Sequence, residues 1–341
     1  MAKIAINGFG RIGRAFFKLA LTKPELEIVA INDLGDLENL AYLLRYDSVY
    51  GRYNEEVKTK EVGGKKYLLA AGKEVLFLQE KEPTKLPWKD LNVDVVVEAT
   101  GVFESYEKAS VHLQAGAKKV VLTAPAKDED GGSNKTVLMG VNEGDAATCT
   151  ITSNGSCTTN SASSVMQILS EKIGVKKAFL NTVHGYTATQ SLIDGPVKGH
   201  DMRRGRAAGV NIVPTATGAA IAVARALPNL KDKFDGMAMR VPTATGSLSA
   251  IVFLAEKSVT VEEINTVLKE AEQDPRWKGI FKTTSEPIVS SDIIGNPYAA
   301  IVDLELTKVV DGDLCCVYSW YDNEFGYTNT LVEHVLKVSK N

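Results

Sequence analysis

The sequence predicts an α/β chain: a Rossmann-type doubly wound domain at the N-terminus, followed by an α+β domain with a large mixed sheet. Three observations carry this. Strand-like and helix-like segments alternate as far as Lys119–Thr123, as a parallel sheet with crossover helices requires. A glycine-rich turn joins the first strand to the first helix. Beyond Cys157 the pattern changes to long alternating runs, which suit a mixed sheet with one covered face. The 341 residues are enough for two cores of this kind.

Lys3 to Asn7 is a short apolar strand, Gly8-Phe9-Gly10-Arg11-Ile12-Gly13 follows at once, and Arg14 to Thr22 reads as a helix ahead of Pro24. Gly8 permits a tight turn, Gly10 lets backbone approach a pyrophosphate, and Gly13 allows close helix–strand packing, with the anion resting on the helix N-terminus. Glu27 to Asn32 is a second strand ending at Asp33, roughly 20 residues downstream, where a dinucleotide site has its ribose-binding carboxylate. Asp33 there would accept from the ribose hydroxyls and repel a 2′-phosphate, which favours NAD over NADP. The plain alternative for Asp33 is a solvated turn residue. Val93–Glu98, Ala99-Thr100-Gly101 and Lys119–Thr123 continue the alternation. Gly131-Gly132-Ser133-Asn134 and its acidic flanks read as a surface loop with no assigned function.

The segment Ser153-Asn154-Gly155-Ser156-Cys157-Thr158-Thr159-Asn160 places one cysteine among hydrogen-bonding residues just ahead of a helical run. Val165, Ile168, Leu169 and Ile173 fall at helical spacing, so an amphipathic helix is expected to start near Thr158. Its free N–H groups and partial positive charge should lower the pKa of Cys157 and make it a nucleophile. A buried core thiol is the ordinary alternative, but the octet is so polar that nothing in it asks for a core. Further on, Phe179–Val183, Phe234–Val241, Leu248–Ala255, Ala299–Leu306 and Leu314–Trp320 read as strands, with Ala219–Ala226 and Val261–Glu272 as helices. Cys315 and Cys316 read as strand core. The expected domains are 1–154 for dinucleotide binding and 155–320 for catalysis, with 321–341 returning to the first domain through a helix over Thr328 to Val338.

Composition excludes several classes. With 39 basic and 42 acidic residues the net charge is −3, no electrostatic footprint for nucleic acid or an anionic membrane surface. No apolar run approaches the ~18 residues of a membrane helix, and the first residues enter a strand with no signal peptide. Four cysteines, none in C-x-x-C spacing, give no disulfide framework and no metal site. A reducing cytoplasm is the expected compartment.

The two motifs, together with Val183-His184-Gly185-Tyr186-Thr187, Pro214-Thr215-Ala216-Thr217-Gly218-Ala219-Ala220, Arg240-Val241-Pro242-Thr243 and Trp320-Tyr321-Asp322-Asn323-Glu324-Phe325-Gly326-Tyr327, resemble the phosphorylating glyceraldehyde-3-phosphate dehydrogenases. The likeness runs from the first strand to the last helix. It implies NAD-dependent oxidation of glyceraldehyde 3-phosphate with inorganic phosphate, through a thiohemiacetal and a thioester on Cys157. His184 would hold the thiolate and serve as base and acid, a Cys–His arrangement with a sound physical rationale. His112, His200 and His334 lie in contexts without a comparable polar motif. The resemblance places Thr187 and Arg240 at the substrate phosphate, and Ser156, Thr158, Thr217 and Gly218 around the attacking phosphate or the substrate's other polar groups. Arg203 can make bidentate phosphate contacts, although any of Arg203, Arg204 and Arg206 could equally be a loop or subunit-contact charge. On the cofactor side it carries over Arg11 and Ile12 at the pyrophosphate, Asp33 at the ribose, Thr123 near the nicotinamide and Asn323 at its carboxamide. Lys81 stands where the family has arginine, which puts its adenine-side contact in doubt. A homotetramer is implied, with Gly185 to Ala208 at a subunit interface. Erythrose 4-phosphate as substrate, an NADP preference, and an idle binding or scaffold protein are the competing readings. Asp33 with Leu34 opposes the second, and the intact set Cys157, His184, Thr217 and Arg240 opposes the third.

Overall fold

Asn7, Glu98 and Asn32 end three neighbouring parallel strands, and the way they are tied together sets the architecture of the first half of the chain. A computed structural model describes residues 1–197 and 201–340, so His200 lies outside the described residues. The backbone divides into two units, one comprising Met1–Val137, Asn142–Gly155 and the chain from Leu331 onward, the other Leu138–Val141 and Ser156–Thr330.

In the first unit the strand Ala2–Asn7 is central. Leu26–Asn32 and Lys73–Leu78 follow on one side, and Val95–Glu98, Lys119–Leu122, Ile151–Ser153 and Asn134–Thr136 on the other, all parallel. Two antiparallel strands, Lys65–Ala70 and Val57–Val62, complete the far edge. Ile4–Ile6, Val95–Val97 and Val120–Leu122 are fully or almost fully buried, and such continuous apolar runs are what a sheet covered on both faces demands. Strand order reverses between Ala2–Asn7 and Val95–Glu98, and the glycine turn leaves the sheet at that switch point, where open α/β sheets take their ligands.

Gly8 has φ +98°, and a Cβ there would lie 2.6 Å from the Ala99 carbonyl carbon; one on Gly13 would lie 2.1 Å from the Gly8 oxygen. The helix spans Arg11–Ala20, three residues earlier than the spacing suggests at its start and two at its end, because the turn closes directly into it. At the strand ends Glu98 Oε2 accepts from Asn7 Nδ2 at 2.6 Å, and Asn7 Oδ1 accepts from Asn32 Nδ2 at 2.8 Å. Trp88 Nε1 can only donate, at 3.1 Å to His112 Nδ1, so His112 gives its Nε2 hydrogen to Glu98 at 2.9 Å. His334, in the helix Phe325–Ser339, is likewise structural. Its ring meets Asn154 Oδ1 at 3.0 Å and Thr152 Oγ1 at 2.8 Å, and burial holds it down to about 3. Asp130 ties the acidic loop to Thr136 and Tyr106.

The second unit is a mixed sheet in the order Val213–Ala216, Phe234–Val241, Val175–Gly185, Ser247–Ala255, Leu314–Tyr321, Ala300–Val310, Phe281–Thr284. Leu180, Thr182 and His184 are buried at alternate positions of Val175–Gly185, whereas Phe179 and Val183 on the opposite face are 46% and 43% exposed. The helices Cys157–Lys172, Ala219–Ala226 and Val261–Gln273 pack with the sheet and one another. Cys157–Lys172 departs from the expected amphipathic helix. Thr158 to Met166 are all buried, and so are Ser153 and Asn154 before it. The octet is polar and nevertheless packed inside, because its groups find hydrogen-bond partners both within it, as Ser156 does with Thr159 and Asn160, and outside it, as Ser153 does with the Ala124 oxygen, Asn154 with His334 and Thr158 with Tyr321.

Asp33 is itself tied to the glycine turn, its Oδ2 accepting from Phe9 N at 2.6 Å and its Oδ1 from Gly35 N at 2.7 Å. Asp33→Ala should therefore weaken NAD binding by an amount on the order of 1–3 kcal/mol and narrow the preference over NADP. Titration of both coenzymes checks this, and unmutated chain that bound NAD and NADP equally would refute it.

Candidate active site

The thiol belongs to the first residue of Cys157–Lys172, whose leading N–H groups lack helical partners. Ser156, with extended φ and ψ, caps them: its Oγ accepts from Thr159 N at 3.0 Å. No acidic side chain lies in the first turn, so the positive end of the helix is left un-neutralised beside the sulfur. His184 reaches the same point from the adjoining sheet, with Nε2 3.3 Å from Sγ and the imidazole 1% exposed. Arg240 is its register partner on the neighbouring parallel strand. That pairing brings Arg240 Nη1 to 2.6 Å from His184 Nδ1 and 3.2 Å from the Gly185 oxygen.

Electrostatics depart from expectation in one respect. Burial pushes the Cys157 thiol up, and the Arg240 charge with the N–H and hydroxyl of Thr158 only partly pulls it back. His184 is held down to about 3, by burial first and by Arg240 second. The helix terminus therefore does not make a thiolate unaided, since desolvation outweighs it; the pair rests as thiol beside neutral imidazole, close enough to pass a proton. Arg240 Nη1 can only donate, so at 2.6 Å it makes Nδ1 the acceptor and puts the ring hydrogen on Nε2; for Nε2 to take the thiol proton that hydrogen must move to Nδ1, with the Gly185 oxygen at 2.6 Å replacing the guanidinium as its partner.

The expected anion ligands Thr187, Thr217 and Gly218 belong to the same unit as this pair. Thr187 Oγ1 lies 3.0 Å from Thr189 Oγ1, and its N–H donates to Gln190 Oε1 at 3.3 Å. Gly218 precedes Ala219–Ala226 with no side-chain cap, and the space where its Cβ would stand is open; Thr217 Oγ1 accepts from Ala219 N at 3.2 Å. The Thr158 hydroxyl is buried and bonded to Tyr321 Oη at 2.9 Å. In the short turn Met202–Gly205, Arg203 is exposed, whereas Arg204 is held by Asp201 Oδ2 at 3.1 Å and Thr189 Oγ1 at 3.0 Å and acts electrostatically on Arg240.

The dinucleotide residues fit a cofactor on the structure's own terms. The helix Arg11–Ala20 starts at Gly10 without a side-chain cap, and a Cβ on Gly10 would meet nothing within 4 Å, so there is room beside the helix start for a pyrophosphate. The Arg11 guanidinium is engaged with Asp47 at 3.0 Å, which leaves its N–H as the group for a pyrophosphate. Thr123 spends its hydroxyl proton on the Glu98 carbonyl at 3.0 Å. Lys81 is exposed beside Glu80, which is pinned to Asn32. Asn323 Oδ1 accepts from Gly246 N at 3.1 Å and Ser247 Oγ at 3.0 Å, an arrangement that fixes the amide and leaves Nδ2 with no partner among the described residues, a donor suited to a carboxamide oxygen.

The sheet and its glycine turn are those of a dinucleotide-dependent enzyme, and the same chain holds a Cys–His pair. Residues 2–106 match the model for the glyceraldehyde 3-phosphate dehydrogenase NAD-binding domain and residues 156–323 that for the C-terminal domain. Among named relatives, the glyceraldehyde-3-phosphate dehydrogenase of Thermotoga maritima is 52% identical over 98% of each chain. Those of Clostridium pasteurianum and Geobacillus stearothermophilus are each 47% identical, over all of both chains and over 97% and 96% respectively. The chain belongs to the glyceraldehyde-3-phosphate dehydrogenase family.

Thiol chemistry gives a direct check. Iodoacetamide should modify Cys157 first, since Cys149 is buried and burial raises Cys315, to about 11, and Cys316, with no imidazole beside any of them. His184→Asn should slow that reaction at neutral pH and move its midpoint upward. Peptide mapping that found equal rates at all four thiols would contradict the assignment.

Proposed function

We propose that this chain catalyses NAD-dependent oxidation of glyceraldehyde 3-phosphate with inorganic phosphate to 1,3-bisphosphoglycerate. The observation that carries it is the 3.3 Å pairing of Cys157 Sγ with His184 Nε2, beside Arg240. Relatives bearing that enzyme's name over their full length support it. Cys157 passes its proton to His184 and attacks the aldehyde carbon, giving a thiohemiacetal. His184 then returns that proton and takes one from the new hydroxyl. Bound NAD supplies the hydride acceptor, so a thioester remains on Cys157. Phosphate attacks that thioester, and the sulfur leaves as the thiolate that His184 stabilises. Arg240, Arg203 and Thr187 hold one phosphate, and Thr217, Gly218, Thr158 and Ser156 the other, while Asn323, Thr123, Arg11, Ile12, Lys81 and Asp33 hold NAD. On this reading 1–154 and 155–320 are the functional domains, with 321–341 returning to the first.

A homotetramer is part of the proposal. Leu192, Ile193, Met202, Val210 and Ile212 are each more than 65% exposed, an apolar set suited to burial against another copy. Among the described residues no helix is long and apolar enough to cross a membrane, in keeping with a cytoplasmic enzyme.

Rates with glyceraldehyde 3-phosphate, erythrose 4-phosphate and unphosphorylated glyceraldehyde, with and without phosphate, test the reaction. Phosphate-independent turnover would defeat it, and preference for the erythrose substrate would reassign it. Arg240→Leu and Arg203→Leu should each cut efficiency with the phosphorylated aldehyde far more than with glyceraldehyde. An unchanged ratio in Arg240→Leu would show that Arg240 does not read the substrate phosphate.

A further inference from the structure

Glu98 is a buried carboxylate that the chemistry above does not use. It is 3% exposed and ends the strand Val95–Glu98, beside Asn7, at the switch point of the first sheet. Its backbone oxygen accepts from Thr123 N at 3.1 Å and from Thr123 Oγ1 at 3.0 Å. The carbonyl carbon of the next residue, Ala99, is the atom that a Cβ on Gly8 would strike. Glu98 thus adjoins both the glycine turn and Thr123, the residue assigned to the nicotinamide side.

Every hydrogen around this carboxyl can be assigned, because each partner is fixed by a group that can only donate. Glu80 N donates to Asn32 Oδ1 at 2.9 Å, so Asn32 Nδ2 donates to Asn7 Oδ1, and Asn7 Nδ2 to Glu98 Oε2. Trp88 Nε1 donates to His112 Nδ1, so the ring is neutral and its hydrogen points from Nε2 to Glu98 Oε2. Val102 N donates to Thr100 Oγ1 at 3.1 Å, which turns the Thr100 hydroxyl hydrogen to Glu98 Oε1, beside the Thr100 N–H at 2.8 Å. Four donors converge on two oxygens, and none of them accepts. The carboxyl therefore carries no hydrogen, and among the described residues no lysine or arginine bonds to it. It is a full negative charge held by neutral dipoles and screened far less by salt than a surface charge.

NAD and NADH differ by one charge, on the nicotinamide ring: positive when oxidised, absent when reduced. Their pyrophosphate charge is common to both and cancels in the ratio of their affinities. A buried anion without a cation, on the nicotinamide side, attracts the oxidised ring and gives nothing to the reduced one.

We propose that Glu98 is the residue by which this chain discriminates oxidised from reduced coenzyme, its uncompensated buried charge holding NAD more tightly than NADH. The inference rests on the reading that Thr123 faces the nicotinamide side, and it is measured by coenzyme binding alone, without aldehyde or phosphate.

The test is the ratio of the dissociation constants of NADH and NAD, titrated calorimetrically with the full chain. Glu98→Gln keeps the shape and removes the charge, and should lower that ratio about two- to tenfold, the scale of a charge pair roughly 10 Å apart at an effective dielectric constant of about 20 or somewhat above. The new amide also turns hydrogens toward donors, so both affinities should fall; a merely structural loss would weaken both coenzymes alike and leave the ratio where it was. Asp94→Asn removes a carboxylate that Lys118 already pairs at 2.7 Å near solvent, and should leave the ratio in place. A ratio unchanged or raised in Glu98→Gln overturns the proposal, and so does an equal fall in Asp94→Asn. If Glu98→Gln does not fold, the double variant with Trp88→Phe decides on the same terms, since without the indole donor His112 can move its hydrogen to Nδ1 and accept from the new amide. A lowered ratio in a chain that oxidises no aldehyde would leave this inference standing and defeat only the proposed reaction; an unmoved ratio in an active chain would do the reverse.

Discussion

A helix N-terminus buried with its polar first turn is the constraint on which the rest of the structure depends. Four N–H groups there lack helical partners, and an unmet buried hydrogen-bonding group costs about 1–3 kcal/mol. A carboxylate cap would satisfy them and would also neutralise the charge that the thiol needs. Ser156 caps without charge, and Thr158 and Asn160 turn their side chains to Tyr321 and to the Ser156 oxygen. The positive terminus is thus retained while its neighbours are satisfied. The same burial raises the thiol, so the site must supply what the helix alone cannot: a base at 3.3 Å and a guanidinium behind it.

Sheet register makes that supply rigid. His184 and Arg240 stand opposite each other on parallel strands, and alternation along Val175–Gly185 puts Leu180, Thr182 and His184 on the buried face together. Slipping that strand by one residue would send His184 to the exposed face, so packing of Leu180 and orientation of the imidazole are fixed by the same register. Gly185 links this strand to Asn323: its N–H donates to Ser247 Oγ, which donates to Asn323 Oδ1. One continuous set of hydrogen bonds therefore runs from the strand that carries His184 to the Asn323 amide.

Much of the fold was legible because parallel strands buried on both faces must be continuously apolar and because a strand–glycine–helix turn has few substitutes. Ala219–Ala226 and Phe234–Val241 match their apolar runs residue for residue. The ends of the first helix were not legible, since Gly8 to Gly13 serve turn and helix at once. The burial of Ser161, Ser163 and Ser164 was hidden for a different reason: polarity in a sequence predicts exposure unless the partners are known, and here those partners include residues more than a hundred positions away, such as Ser319 and Tyr321. Cys157 and His184 were legible from their motifs, but the balance between helix charge and burial at the thiol was not, since burial is a property of the packed chain.

The central claim is that Cys157 carries the substrate covalently, and intact-mass spectrometry of the chain given glyceraldehyde 3-phosphate and NAD without phosphate tests it most directly. The account predicts one acyl adduct per chain, mapped to Cys157 and discharged when phosphate is added. No adduct, an adduct on another residue, or one that phosphate fails to release would contradict it.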